Sequence, residues 1–216
     1  MTGCCVLPLA SAHEPGLSKA CEAFALVMRV AKIVCAEGEV ICLVRNLSRM
    51  GANLRYFHGI PADEVVELVM ANGSSQAMHR LWQDGEQAGY RFAESVEVKR
   101  LLDDPGSNGR PEIRITLDRA ATISARGAEL RTRLLDLSQS GAQIECDVPL
   151  AVRQLVHLGI DGSTPYMGHV RWRKGQRHGL VFQRSLGLAE LATIAAKKAE
   201  CAQPSNMEFG LRTAIM

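Results

Sequence analysis

The chain repeats itself. Displaced by 90 residues and without a gap, Arg29 falls on Arg119, Ile33 on Ile123 and Glu39 on Glu129. Leu47, Ser48, Gly51 and Ala52 fall on Leu137, Ser138, Gly141 and Ala142, and Val66 and Leu68 on Val156 and Leu158. His79, Trp82, Gly85, Gly89 and Phe92 fall on His169, Trp172, Gly175, Gly179 and Phe182. Glycine and tryptophan positions are set by turns and close packing, so coincidences there constrain the fold more than matches among aliphatic residues. The repeat predicts two domains of one fold, at 19–104 and 105–200, between a flexible leader (1–18) and a tail (201–216). A single domain spanning all 216 residues would have no reason to reuse its turns.

Each repeat reads as short antiparallel strands joined by tight turns. In the second, the expected strands are 119–125, 130–137, 141–146, 153–160, 164–173 and 177–184. Gly127, Asp161 with Gly162, and Gly175 mark turns between them. Six short strands suit a small closed barrel. An Ala/Leu-rich helix, 186–200, follows as a lid over the barrel, and 96–103 is its counterpart in the first repeat. The fold class is therefore all-β with short helices: two tandem six-stranded antiparallel β-barrels, each followed by a helix. Pro105, Gly106, Asn108 and Gly109 break the chain between them as a linker. Residues 17–28 read either as a short helix capped by Ser18 or as an extended arm.

Composition narrows the class of function. Hydrophobic residues make up 47% and charged residues 22%, a globular mixture with no apolar run of the ~18 residues that would span a membrane. The seven cysteines form no Cys-x-x-Cys pair, which argues against a zinc site and a disulfide framework and for free thiols in a cytoplasmic protein. No basic stretch precedes the apolar Cys4–Leu7 segment, so no secretory signal is expected. No nucleophile–base constellation or carboxylate pair is visible, so the chain is not expected to be an enzyme and needs no cofactor or metal.

The second repeat opens on Arg110, Pro111, Glu112, Ile113 and Arg114, and its second strand ends in Asp136, Leu137, Ser138, Gln139, Ser140 and Gly141. Two arginines on a flexible arm, mobile until it binds, offer planar forks of donors to phosphate and flat faces for stacking. Asp-x-Ser-x-x-Gly at a strand end is turn chemistry, with side chains that bond nearby backbone or a ligand. Arg-x-x-x-Arg followed about two dozen residues later by this turn resembles the PilZ family of cyclic di-GMP receptors. Gly168–Trp172 and Gly179–Phe182 resemble that family's last two strands.

The resemblance implies a ligand, cyclic di-GMP, and a role for each matching residue. Arg110 and Arg114 would contact phosphates and stack on guanines. Asp136 would accept from a guanine edge, Ser138 would hold the loop or donate to the ligand, and Gly141 would leave room for the base. Gly168 would form a far wall.

The first repeat lacks this apparatus: Ala20, Phe24 and Asn46 stand where Arg110, Arg114 and Asp136 stand in the second. Charge divides likewise, with 10 Lys+Arg against 12 Asp+Glu in 19–104 and 12 against 8 in 105–192. The first copy is thus expected to be degenerate, and to serve as a contact surface for another protein or for self-association. The whole would be a bacterial cyclic di-GMP receptor signalling through protein contacts. Two alternatives are a PilZ-like interaction module that binds no nucleotide, and a small nucleic-acid-binding barrel using the cluster Arg171–Lys174. Trp82 and Trp172 are expected in the barrel cores, and His79 and His169 to be structural.

Overall fold

The computed structural model describes residues 25–103, 112–160 and 162–197. The expected leader and tail, Ala20, Phe24, Asp161 and the linker with Arg110 lie outside the described residues. Twelve strands and two helices follow in order. The first repeat supplies β1 (Ala25–Cys35), β2 (Gly38–Leu47), β3 (Gly51–Tyr56), β4 (Val65–Met70), β5 (Ser75–Asp84), β6 (Gln87–Phe92) and α1 (Val98–Leu102). The second supplies β7 (Ile115–Ala125), β8 (Ala128–Leu137), β9 (Gly141–Glu145), β10 (Leu155–Gly159), β11 (Tyr166–Lys174), β12 (Arg177–Phe182) and α2 (Leu188–Ala196). No helix among the described residues is long and apolar enough to cross a membrane.

Each repeat closes into an antiparallel barrel, in the orders β1-β2-β3-β6-β5-β4 and β10-β11-β12-β9-β8-β7. Closure removes the unpaired sheet edges at which an open sheet would associate. The repetition extends to irregularities. Register shifts lie between Leu26 and Arg29, Val44 and Asn46, and Arg80 and Trp82 in the first barrel. In the second they lie between Thr116 and Arg119, Leu134 and Asp136, and Val170 and Trp172, each 90 residues on. Bulges bend a strand and re-aim its side chains, so both barrels share their corners as well as their strands.

The bulge in β7 explains one departure from the sequence reading. That strand starts at Ile115, four residues before the expected Arg119, because Asp118 adopts φ +49° and interrupts the alternation that would have revealed the earlier residues. Residues 25–28 are strand, so the helical option does not hold for them; 17–24 lie outside the described residues. The tryptophans correct a second expectation. Trp82 and Trp172 are 45% and 41% exposed, on the outside of the barrels. Each indole lies over a glycine of the neighbouring strand: a Cβ on Gly89 or Gly179 would come within 2.1 Å of the ring nitrogen.

The barrels pack against each other. Ile41 of β2 is 1% exposed and belongs to the hydrophobic core of the second barrel, with Val30, Phe57 and Ala71 alongside. His58 and Thr193 hydrogen-bond across the junction at 2.9 Å. Arg119 is buried there and donates to the carbonyls of Ile194 (2.5 Å) and Lys197 (3.1 Å), placing a cation at the C-terminal end of α2. Leu191, Ala192 and Ile194 bury the other face of α2 on the barrel it caps.

Ile41 should therefore stabilise a barrel to which it does not belong in sequence. Ile41→Ala should cost about 2–4 kcal/mol, the usual range for a buried aliphatic truncation. In a W82F background, Trp172 fluorescence should report earlier melting of the second barrel. An unchanged Trp172 transition would show that the junction contributes nothing to that barrel.

Candidate functional site

Two bulges lie side by side on β7 and β8, and both re-aim polar side chains outward. Thr116 pairs with Asp136 just before the β7 shift, and Asp136 follows directly on the β8 shift. Across the turn Asp136 pairs with Gln143, and Gln143 in turn faces Gly179 of β12, over which Trp172 lies. A second row runs Arg133, Glu145, Arg177. Together Thr116, Asp118, Arg133, Asp136, Gln143 and Arg177 line a shallow concavity of about 350 Å³ on the second barrel's outer face. Arg133 is held there by Asp118, with Nη2 donating to Oδ2 at 2.7 Å, and that hydrogen-bonded carboxylate pushes the guanidinium pKa further up.

Arg114 reaches Asp136, 22 residues away, with its Nη1 donating to Oδ1 at 2.7 Å. The arginine side chain is 51% exposed and the aspartate 22%. The pair is therefore wet enough to exchange partners: an anion can take the guanidinium and leave a carboxylate free to accept from an N–H donor.

The arm around Arg114 is anchored residue by residue. Glu112 accepts from the Ser140 amide (2.8 Å) and hydroxyl (2.5 Å), tying the arm to the Asp136–Gly141 turn. Ile113 and Ile115 are 6% and 1% exposed in the second barrel's core. The Arg114 carbonyl accepts from Lys32 Nζ at 3.0 Å, and the Thr116 amide donates to Glu39 at 2.7 Å, both partners belonging to the first barrel. None of Glu112, Lys32, Glu39, Arg133, Gln143 or Arg177 was singled out for the site from the sequence. Gln143 was reachable: once Ser138 and Gly141 form a tight turn, register alone sets Asp136 opposite Gln143.

The remaining expected residues divide. Ser138 is fully buried; its amide and hydroxyl both donate to the Gly141 carbonyl, at 2.8 and 3.1 Å, so its part is to hold the loop. Ser48 does the same for Gly51 in the first barrel, at 2.9 and 3.3 Å. A Cβ on Gly141 would meet the Leu180 carbonyl oxygen at 2.1 Å, and one on Gly51 would meet that of Tyr90 at 2.2 Å. The missing side chain is thus consumed by the close approach of two strands. Gly168 is buried opposite Phe182 on β11, where a Cβ would meet the Val181 carbonyl oxygen at 2.7 Å, and it is not among the residues that line the concavity. Arg110 lies outside the described residues.

Residues 108–197 match the model of the PilZ domain family. Among solved structures, the PlzA protein of Borreliella burgdorferi in complex with c-di-GMP aligns with TM-score 0.37 and 14% identity, over 80% of this chain and 88% of that one. The MrkH–c-di-GMP complex of K. pneumonia aligns with TM-score 0.31 and 11% identity, over 72% and 79%. YcgR of Escherichia coli in complex with c-di-GMP aligns with TM-score 0.27 and 13% identity, over 74% and 76%. No curated protein sequence matches the chain.

Because both turn glycines meet a backbone carbonyl, Gly141→Ala and Gly51→Ala should destabilise alike. Overpacking against an atom that cannot swing away should cost about 1–3 kcal/mol or more in each, read as a lowered melting temperature of the full chain. A Gly141→Ala variant that melts like the parent would show that strand approach does not require this glycine.

Proposed function

We propose, from the match of residues 108–197 to the PilZ domain family, that the second barrel is a cyclic di-GMP receptor whose site is Arg110, Arg114 and Asp136, supported by Ser138 and Gly141. The observation that carries this reading is the Arg114–Asp136 pair at the edge of the polar concavity. The two motif halves meet in space, on the one barrel that carries both. In the structure each of the two side chains satisfies the other. On binding, Arg114 turns to a phosphate oxygen and a guanine face, and Asp136 accepts from the guanine N–H donors. Arg110, four residues earlier in the sequence, is the second phosphate contact in this reading. Arg133 and Arg177 also line the concavity, Arg133 paired with Asp118 and Glu145.

The reading is of a receptor and not of an enzyme, located in the cytoplasm, with its output passed on through protein contacts. The first barrel is the candidate surface. Its counterpart of the binding face carries Leu26 and Met28, 76% and 65% exposed, where the second barrel carries Thr116 and Asp118. A polar anion site has there become an apolar strand face, which suits a protein partner or a second copy of the chain and not a nucleotide.

Calorimetry of the full chain with cyclic di-GMP, against GTP and single-stranded DNA, tests the reading. Saturable binding of cyclic di-GMP alone is expected. Arg114→Ala should weaken it by about one to two decades, the value of a lost charge-assisted contact of about 1.5–3 kcal/mol. Melting should barely move, since the half-exposed pair with Asp136 adds little stability. Parent-like affinity in Arg114→Ala would remove the arm from the site.

A further inference from the structure

The start of β7 lies beyond its partner strand. β10 pairs with β7 only at residues 122–124, so one edge of residues 114–116 has no strand beside it in the second barrel. In an extended chain the carbonyl of one residue and the amide two residues on point to the same edge. Here those groups are the Arg114 carbonyl and the Thr116 amide. Lys32 donates to the first at 3.0 Å, and Glu39 accepts from the second through Oε2 at 2.7 Å. Glu39 Oε1 meanwhile holds Lys32 Nζ at 2.7 Å. One lysine and one carboxylate thus take the place of a strand. Their side chains are only 17% and 18% exposed, unlike those of a surface ion pair such as Arg55–Glu86, at 52% and 61%. The repeat does not carry this device twice, because Lys32 is replaced by Thr122 in the second barrel.

We propose that Lys32 and Glu39 are positioning residues for the ligand site on the other barrel: they fix the backbone on both sides of Ile115 and so hold Arg114 over Asp136 before ligand arrives. The inference rests on the cyclic di-GMP reading. Its physical content is pre-organisation. A backbone already ordered in the free protein does not have to be ordered on binding, and the affinity keeps that entropy. The degenerate barrel thereby sets how tightly the competent one binds.

The test uses the full chain, with Lys32→Met, Glu39→Leu and, as control, Arg55→Met, which removes an ion pair remote from the arm. Amide exchange at Thr116 in the ligand-free protein should accelerate in Glu39→Leu and stay parental in Arg55→Met. Calorimetry with cyclic di-GMP should show affinity about tenfold weaker in Lys32→Met and Glu39→Leu, and unchanged in Arg55→Met. A parent that binds no cyclic di-GMP overturns the functional reading, and this inference with it. A parent that binds, with Lys32→Met and Glu39→Leu binding equally tightly, overturns this inference alone. So does a weakening in Arg55→Met of the same size, since the effect would then be general loss of structure.

Discussion

Five consecutive residues, 112–116, are each held in place, and the arrangement of the molecule turns on them. Glu112 is fixed to Ser140, Ile113 and Ile115 to the second core, Arg114 to Asp136 and Lys32, and Thr116 to Glu39. Apolar side chains on alternate residues sink the segment into one barrel, while its polar groups face the turn and the other barrel. This is strand geometry used as a joint: alternation lets one segment serve as barrel wall, binding arm and inter-barrel contact at once. The proposed site is well placed to couple ligand capture to barrel packing, because Arg114's own carbonyl and the Thr116 amide two residues on are the groups that meet the neighbour.

The two barrels show how one scaffold is put to different uses without altering its corners. Bulges, the Ser-to-Gly turn and the Trp-over-Gly pair recur at the same repeat positions, because each satisfies a demand of closure that does not depend on a ligand. Part of the divergence falls on outward positions, though buried counterparts differ as well, Tyr56 with Cys146 and Tyr90 with Leu180. Ile41, buried against the second barrel, corresponds to the exposed Arg131, and Leu26 and Met28 correspond to Thr116 and Asp118. One inward change is also informative: fully buried Met78 in the first core corresponds to Gly168 in the second.

Much of this was legible in the sequence because repetition doubles the signal. Strand number, hairpins and trailing helices followed from glycine spacing and alternation, while the two halves of the motif were read through a family resemblance. What escaped has physical causes. Asp118, with its positive φ, breaks the period-two pattern and hid the first residues of β7. The tryptophans read as core because large aromatics usually are, yet a glycine across the strand gives each a seat on the surface. Gly168 read as space for a ligand, whereas the room it leaves is taken by the neighbouring strand. Lys32 and Glu39 act on residues 82 and 77 positions away, and no local pattern announces such contacts.

The central claim is that Arg114 exchanges Asp136 for the ligand while the turn beneath stays as it is. Nitrogen-edited NMR of the full chain, titrated with cyclic di-GMP, reads both parts at once. The Arg114 side-chain Nε–H resonance should shift to saturation, together with the Gln143 amide beside Asp136. The Ser138 amide, buried and bonded to the Gly141 carbonyl at 2.8 Å, should hold its position. A titration that saturates while Arg114 Nε–H stays still would contradict the account and place the ligand elsewhere.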